Sequence, residues 1–246
     1  MPGLLNTRDL GGLPVVGGGE TRFGRVFRGP MLDFLPGPGA DALINDLGIR
    51  REIDVRDDGS ATLGPDSLFG QRVVERYQIP ANHPDDQAQV FKRFSQEVEW
   101  DHVGDNLDSI SRSPGVPHIL ALLADSSGQP TYIHCSVGKD RTGTICGLML
   151  DAIGVGREAI VEDYALSSRD IEEWFEFAMG RSERAKKLFG SAPAKTLATF
   201  KSADPDIMMR MLEGVDERYG SSARYVRGLE NGEAILDGLK RKLLGD

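Results

Sequence analysis

Residues 131–142 read Thr131-Tyr132-Ile133-His134-Cys135-Ser136-Val137-Gly138-Lys139-Asp140-Arg141-Thr142. The β-rich run Thr131-Tyr132-Ile133 leads into a tight loop, and a helical pattern starts near Arg141. Strand, tight loop and helix N-terminus together make a phosphate cradle, because loop and first-turn N–H groups lack partners and converge on one anion. A cysteine at the start of such a cradle has its thiolate stabilised by the same field. An arginine at its end can grip two phosphate oxygens at once. The stretch therefore reads as a thiol nucleophile aimed at phosphorus.

The spacing Cys-x5-Arg followed by Thr resembles the phosphate loop of the cysteine-dependent protein tyrosine phosphatase superfamily. The longer form, from His134 to Gly143, is similar to the HCxxGKDRTG loop of one mostly microbial branch, tyrosine phosphatase family 3. Some members of that branch are described as acting on both phosphoprotein and phosphoinositide substrates. Weaker likenesses extend the match. Asn6-Thr7-Arg8-Asp9-Leu10-Gly11-Gly12 is similar to the family's Asn-x-Arg-Asp-Leu-Gly-Gly, with Thr7 where an aromatic is expected. Arg28-Gly29-Pro30 stands where the family has Arg-Ser-Gly. Asp54-Val55-Arg56 resembles Asp-Leu-Arg, and Tyr164-Ala165-Leu166-Ser167 resembles Tyr-x-Leu-Ser.

The chain has 246 residues, 39% apolar and 27% charged, enough for one sizeable globular domain. No apolar run approaches the ~20 residues that span a bilayer. The net charge of −9 disfavours whole-surface attraction to nucleic acid or anionic membrane. The N-terminus lacks the basic start and apolar stretch of a signal peptide. The two cysteines, Cys135 and Cys146, sit at opposite ends of the strand-to-helix segment, unlike a disulfide framework. Cys146 reads as a core residue on the helix after the loop. A catalytic thiol needs a reducing compartment, so the expected location is cytoplasmic, with export lacking a recognisable signal left open.

Along the chain, residues 6–12 read as a turn and Arg25–Arg28 as a half-buried strand. Pro36–Leu47 forms a short helix ended by Gly48. Ile49–Arg56 and Val73–Ile79 are strands, separated from the next helices by the loop Pro80–Asp86. Gln87–Ile110 has helical period, with Val90, Phe91, Phe94 and Val98 as a stripe and Gly104 as a break. Pro117–Leu123 is a further helix. After the loop, Ile145, Leu148, Met149 and Ile153 follow helical spacing, and Gly143 and Gly147 would let this helix lie close on the sheet. From Gly156 onward the pattern is helical almost to the end, with a basic and aromatic edge at 170–187. The alternation predicts a single-domain α/β fold. A mostly parallel sheet of four or five strands is flanked by helices, the core spans about 1–155, and a helical lid with the C-terminal helices spans about 156–246.

The predicted chemistry is two-step phosphoester hydrolysis without cofactor or metal. Cys135 attacks phosphorus, and water then cleaves the cysteinyl-phosphate. Arg141 clamps equatorial oxygens and Thr142 supports the thiolate. Ser136, Val137, Gly138, Lys139, Asp140, Arg141 and Thr142 line the phosphate, and His134 orients the loop backbone. Lys139 suits a substrate with a second anionic group, or tunes the thiolate. Asp140 is the first choice of general acid, with Asp54, Asp57, Asp85 and Asp86 as alternatives. His83, His102, His118 and His134 show no metal-ligand spacing. The expected partners are a phosphorylated protein or a small phosphoester, with inorganic phosphate as product. The rival readings are a small-molecule phosphatase of a biosynthetic pathway and a non-catalytic phosphate reader.

Overall fold

In the computed structural model, the described residues are 4–33, 35, 37–57, 75–86, 100–125, 127–181, 183, 186, 190 and 192–245, with residue 86 described by its backbone only. Five strands form one sheet: β1 (Arg8–Asp9), β2 (Val26–Gly29), β3 (Arg51–Asp54), β4 (Glu75–Gln78) and β5 (Thr131–His134). Their order is β1-β2-β5-β3-β4. β2, β5, β3 and β4 run parallel, and β1 is antiparallel to β2. Residues 6–12 thus hold a two-residue strand as well as the expected turn. Burial differs with position in the sheet. Every residue of β5 is buried, whereas the outer strand β4 is mostly exposed and carries Glu75 and Arg76, as suits an edge.

The helices, in chain order, are α1 (Gly37–Asp41), α2 (His102–Arg112), α3 (Gly115–Leu123), α4 (Asp140–Ala152), α5 (Arg157–Ala165), α6 (Ile171–Arg181), α7 (Ala194–Lys201), α8 (Pro205–Tyr219), α9 (Ser222–Arg227) and α10 (Gly232–Leu243). α1 continues as a π-helical turn, Ala42–Asp46. The expected stripe Val90–Val98 lies outside the described residues. Gly104 does not break a helix. It sits in the first turn of α2, where its N–H donates to Asp101 Oδ1 at 2.9 Å. α8 starts on the Asp204 cap followed by Pro205 and stops at Gly220, whose φ of 83° ends the helix.

Three apolar clusters fill the interior. The largest joins Ile53 and Ile133 of the sheet to Ile145, Leu148 and Met149 of α4. It also takes in Met208, Met211 and Leu212 of α8 and Leu236 and Leu239 of α10. A second, around Phe27, Leu43, Ile49 and Tyr132, packs α1 on the other side of the sheet. The third holds Val137 of the loop against Ile171, Trp174, Phe175 and Ala178 of α6, with Leu197 and Phe200 of α7 alongside.

α4 is buried along almost its whole length, so several elements press on it. Its two glycines serve close packing, Gly143 against α5 and the Arg28 side chain of β2 in the sheet, and Gly147 against α8. A Cβ at Gly143 would come within 2.9 Å of the Tyr164 ring on α5, and one at Gly147 within 2.6 Å of Met208 Sδ on α8. A helix walled in by α5 and α8 holds its N-terminus, and the loop before it, in one place. Among the described residues no helix is long and apolar enough to cross a membrane.

Candidate active site

β5 lies between β2 and β3, so Cys135 leaves the sheet at the carboxyl ends of three parallel strands, where ligands of such sheets collect. The chain turns through Ser136–Lys139 and enters α4 at Asp140. Gly138 has φ +76°, and a Cβ there would fall 2.2 Å from the Gly29 carbonyl oxygen. Glycine is needed at that turn for both reasons.

The sulfur of Cys135 is in a residue only 4% exposed. Burial pushes its thiol up, but the Arg141 guanidinium and the Thr142 hydroxyl and amide outweigh it, leaving the group below its ordinary range. The buried Thr142 hydroxyl has no other partner among the described residues. Arg141 extends back over the loop, where Nη2 donates to Ser136 Oγ at 3.2 Å and Nη1 to Asp57 Oδ2 at 3.3 Å. This guanidinium is 22% exposed, so it keeps a face toward solvent and toward an incoming anion.

Asp140 occupies the first turn of α4 and is 25% exposed. Tyr164 Oη donates to its Oδ1 at 3.4 Å, Lys139 Nζ stands 3.4 Å away and His102 Nδ1 3.7 Å away. His102 stacks on Trp100, its buried Nε2 has no partner among the described residues, and burial lowers its pKa. The other candidate acids have different settings. Asp54 is buried on Arg56, which also forks onto Asp33. Burial raises the Asp54 pKa, but His134 and Arg56 lower it further, so Asp54 has no proton to give at neutral pH. Asp57 stands on Arg141. Asp85 is 79% exposed beside His83, and the side chain of Asp86 lies outside the described residues.

Lys139 is buried, and its ammonium donates to the Phe200 and Ser202 carbonyls, each at 2.7 Å, at the C-terminal end of α7. It ties the phosphate loop to the α6–α7 layer. His134 is wholly buried. Its Nε2 stands 2.9 Å from Glu52 Oε1 and its Nδ1 3.1 Å from the Cys135 carbonyl. The Cys135 carbonyl can only accept, so Nδ1 carries a proton, and Nε2 shares a hydrogen bond with the Glu52 carboxyl. Burial pushes the imidazole down, yet Asp54 and Glu52 outweigh it and hold the pKa above the ordinary value.

Reading residue types along the chain misses Glu52, Asn6, Arg28, Asp163, His102 and Tyr164. Asn6 Nδ2 donates to the Val137 carbonyl at 2.8 Å and Arg28 Nη2 to the Gly138 carbonyl at 2.9 Å. Arg28 is held in turn by Asp163 at 2.7 Å. A signal was available in Arg51-Glu52-Ile53-Asp54-Val55-Arg56. Four charges within a strand that must be central can only be buried as pairs.

The sequence as a whole resembles known proteins. A family model described as the tyrosine phosphatase family matches residues 1–245. The chain is 26% identical to the triple specificity protein phosphatase PtpB of Mycobacterium tuberculosis, across 100% of this chain and 98% of that one. It is 24% identical to a tyrosine-protein phosphatase of Nostoc commune, across 80% of this chain and 67% of that one. Among solved structures it matches the core catalytic domain of the PP-IP phosphatase SIW14 from S. cerevisiae. That match has a TM-score of 0.36 and 13% identity, over 72% of this chain and 85% of that one. A thiol below its ordinary pKa, an arginine over the same loop and a family match spanning the chain converge: this protein belongs to the tyrosine phosphatase family, and it is a phosphatase.

Proposed function

We propose that this phosphatase works as one domain, through a cysteinyl-phosphate and without a metal ion, most readily on phosphotyrosine in protein. The observation that carries the reading is the depressed Cys135 thiol, set beneath Arg141 at the N-terminus of α4. The Cys135 thiolate attacks phosphorus in line. The S–P bond forms as the P–O bond to the leaving group breaks, and Asp140 gives its proton to the departing oxygen. Water then attacks the phosphorus and loses its proton to Asp140. The S–P bond breaks, and inorganic phosphate leaves. Arg141 and the loop amides hold the equatorial oxygens, whose charge changes most in the transition state. Asp140 is preferred to Asp57 because it is the more exposed of the two and accepts from Tyr164 beside Lys139, without being committed to Arg141.

The low exposure of Cys135 supports a phenyl phosphate, whose phosphorus stands further from the peptide backbone than that of phosphoserine. The triple specificity in the name of the Mycobacterium tuberculosis relative supports more than one class of phosphoester, so a dual-specificity or phosphoinositide activity belongs to the same reading. A small phosphoester entering whole is the second reading, favoured by the same low exposure. The contacts of α6 with Val137, and of α7 with Val137 and Lys139, support a roof over the loop formed by these two helices.

The test is hydrolysis of p-nitrophenyl phosphate by wild type and Cys135→Ser, with chelator and with vanadate. The expected result is activity that survives chelator, is blocked by vanadate and is lost in the variant. Activity that requires added metal, or that persists in Cys135→Ser, overturns the reading.

A further inference from the structure

Every carbonyl from His134 to Lys139 accepts a hydrogen bond from a group outside the turn itself or from a side chain. His134 O accepts from Val55 N at 2.9 Å, Cys135 O from His134 Nδ1 at 3.1 Å and Ser136 O from Met31 N at 3.1 Å. Val137 O accepts from Asn6 Nδ2 at 2.8 Å and Gly138 O from Arg28 Nη2 at 2.9 Å. Lys139 O accepts from Gly143 N at 2.7 Å and from Arg28 Nη2 at 3.3 Å. A trans peptide is planar, so a carbonyl held outward turns the next residue's N–H the opposite way. Holding the carbonyls of 137 and 138 therefore aims the amides of Gly138 and Lys139 inward.

Those two peptides are the ones gripped by side chains from far along the chain, and the side chains are braced. Arg8 donates to both oxygens of Asn6, and to Asp163 at 2.6 Å. Asp163 accepts from Arg28 at 2.7 Å, and Asp170 accepts from the Asn6 amide at 3.1 Å. Asn6 itself has φ +65°, a conformation asparagine tolerates better than other side chains do. The result is a buried brace, Asn6–Arg8–Asp163–Arg28, that ends on two successive peptides of the turn.

We propose that Asn6 and Arg28 are positioning residues of the phosphate loop: by holding the 137 and 138 carbonyls outward, they keep two amides aimed at the phosphate and so set its affinity. The proposal rests on the reading of this loop as the phosphate site. Arg28 makes its contribution through the loop backbone rather than through substrate.

The test uses the full chain and inorganic phosphate as the probe, and reads protection of Cys135 from iodoacetamide, which needs no turnover. Asn6→Asp keeps the shape, the backbone preference and an oxygen for Arg8, and removes the Nδ2 donor. Arg28→Lys keeps the charge facing Asp163 and loses the fork. The control is Asp9→Asn, since Asp9 caps the Gly11 and Gly24 amides in the same segment and has no bond to the loop. Melting temperature is recorded for all four proteins. The expected result is that either loop variant needs about tenfold more phosphate for half-protection, the size expected of one hydrogen bond to a charged group. The alkylation midpoint should move to higher pH in the same variants, and Asp9→Asn should alter neither reading. Variants protected at the wild-type phosphate concentration, changed only in melting temperature, overturn the proposal alone. A wild type that phosphate does not protect overturns the phosphate-site reading and the brace with it.

Discussion

The two cysteines stand eleven positions apart, are both buried, and are pushed in opposite directions. Cys146, in the middle of α4, is raised by burial to about 11, and the nearby Arg28 and Arg8 do not overcome it while Asp163 stands beside them. Cys135, at the mouth of the same helix, is lowered despite equal burial, because Arg141 and Thr142 act on it directly. Burial therefore does not decide reactivity here. What decides it is whether hydrogen-bond donors and a cation act directly on the sulfur. The arginines near Cys146 are bound by Asp163 in the interior, whereas Arg141, although paired with Asp57, is partly exposed and acts on Cys135 together with the Thr142 hydroxyl and amide.

The comparison can be broken most severely at the acid that serves only the mouth of the helix. Asp140→Asn is expected to lower kcat for an aryl phosphate by about 10²–10⁴-fold and to remove the alkaline limb of the pH–rate profile. Asp57→Asn should leave that limb in place, and the reverse pattern would move the acid to Asp57. Arg141→Ala should lower kcat by about 10²–10³-fold. It should also raise the pH at which Cys135 becomes alkylated, since it removes the leading attraction on the thiolate. Unchanged alkylation in that variant would show that Thr142 and the amides alone hold the sulfur.

In wild type, the sign of the shift is testable directly. A lowered pKa means that Cys135 stays ionised as pH falls below the ordinary thiol value of about 8.5. Its alkylation midpoint should lie under that value, while Cys146 stays unreactive until the protein unfolds. Equal midpoints for the two thiols would erase the distinction. The smallest effect is expected at the quiet end of the helix. Cys146→Ala should cost on the order of 1 kcal/mol of stability and leave kcat unaltered, as judged by denaturant melts and steady-state rates.

The part of this site that a sequence can display is the part that is local. Strand, turn and helix around Cys135 follow one another without interruption, and a cysteine and an arginine six positions apart at such a turn have a clear joint use. Helix faces such as Ile145, Leu148 and Met149 were likewise legible from their spacing, because apolar burial leaves a period behind. Polar tertiary contacts leave none. Nothing near Lys139 signals that its ammonium will seek two carbonyls more than sixty residues later, at Phe200 and Ser202. Nothing near Asn6 signals a bond to Val137, 131 positions away. Gly143 and Gly147 pointed to a close approach to the sheet; Gly143 does meet the Arg28 side chain of β2, but the spacing could not name the nearer partners, α5 and α8.

The central claim is that the sulfur of Cys135 carries the phosphoryl group in mid-reaction. Rapid acid quench during p-nitrophenyl phosphate turnover, followed by peptide mass spectrometry, tests it without further assumption. The account predicts a phosphoryl adduct on Cys135, present in wild type and absent in Cys135→Ser. Steady turnover with no covalent adduct, or an adduct on another residue, would contradict it.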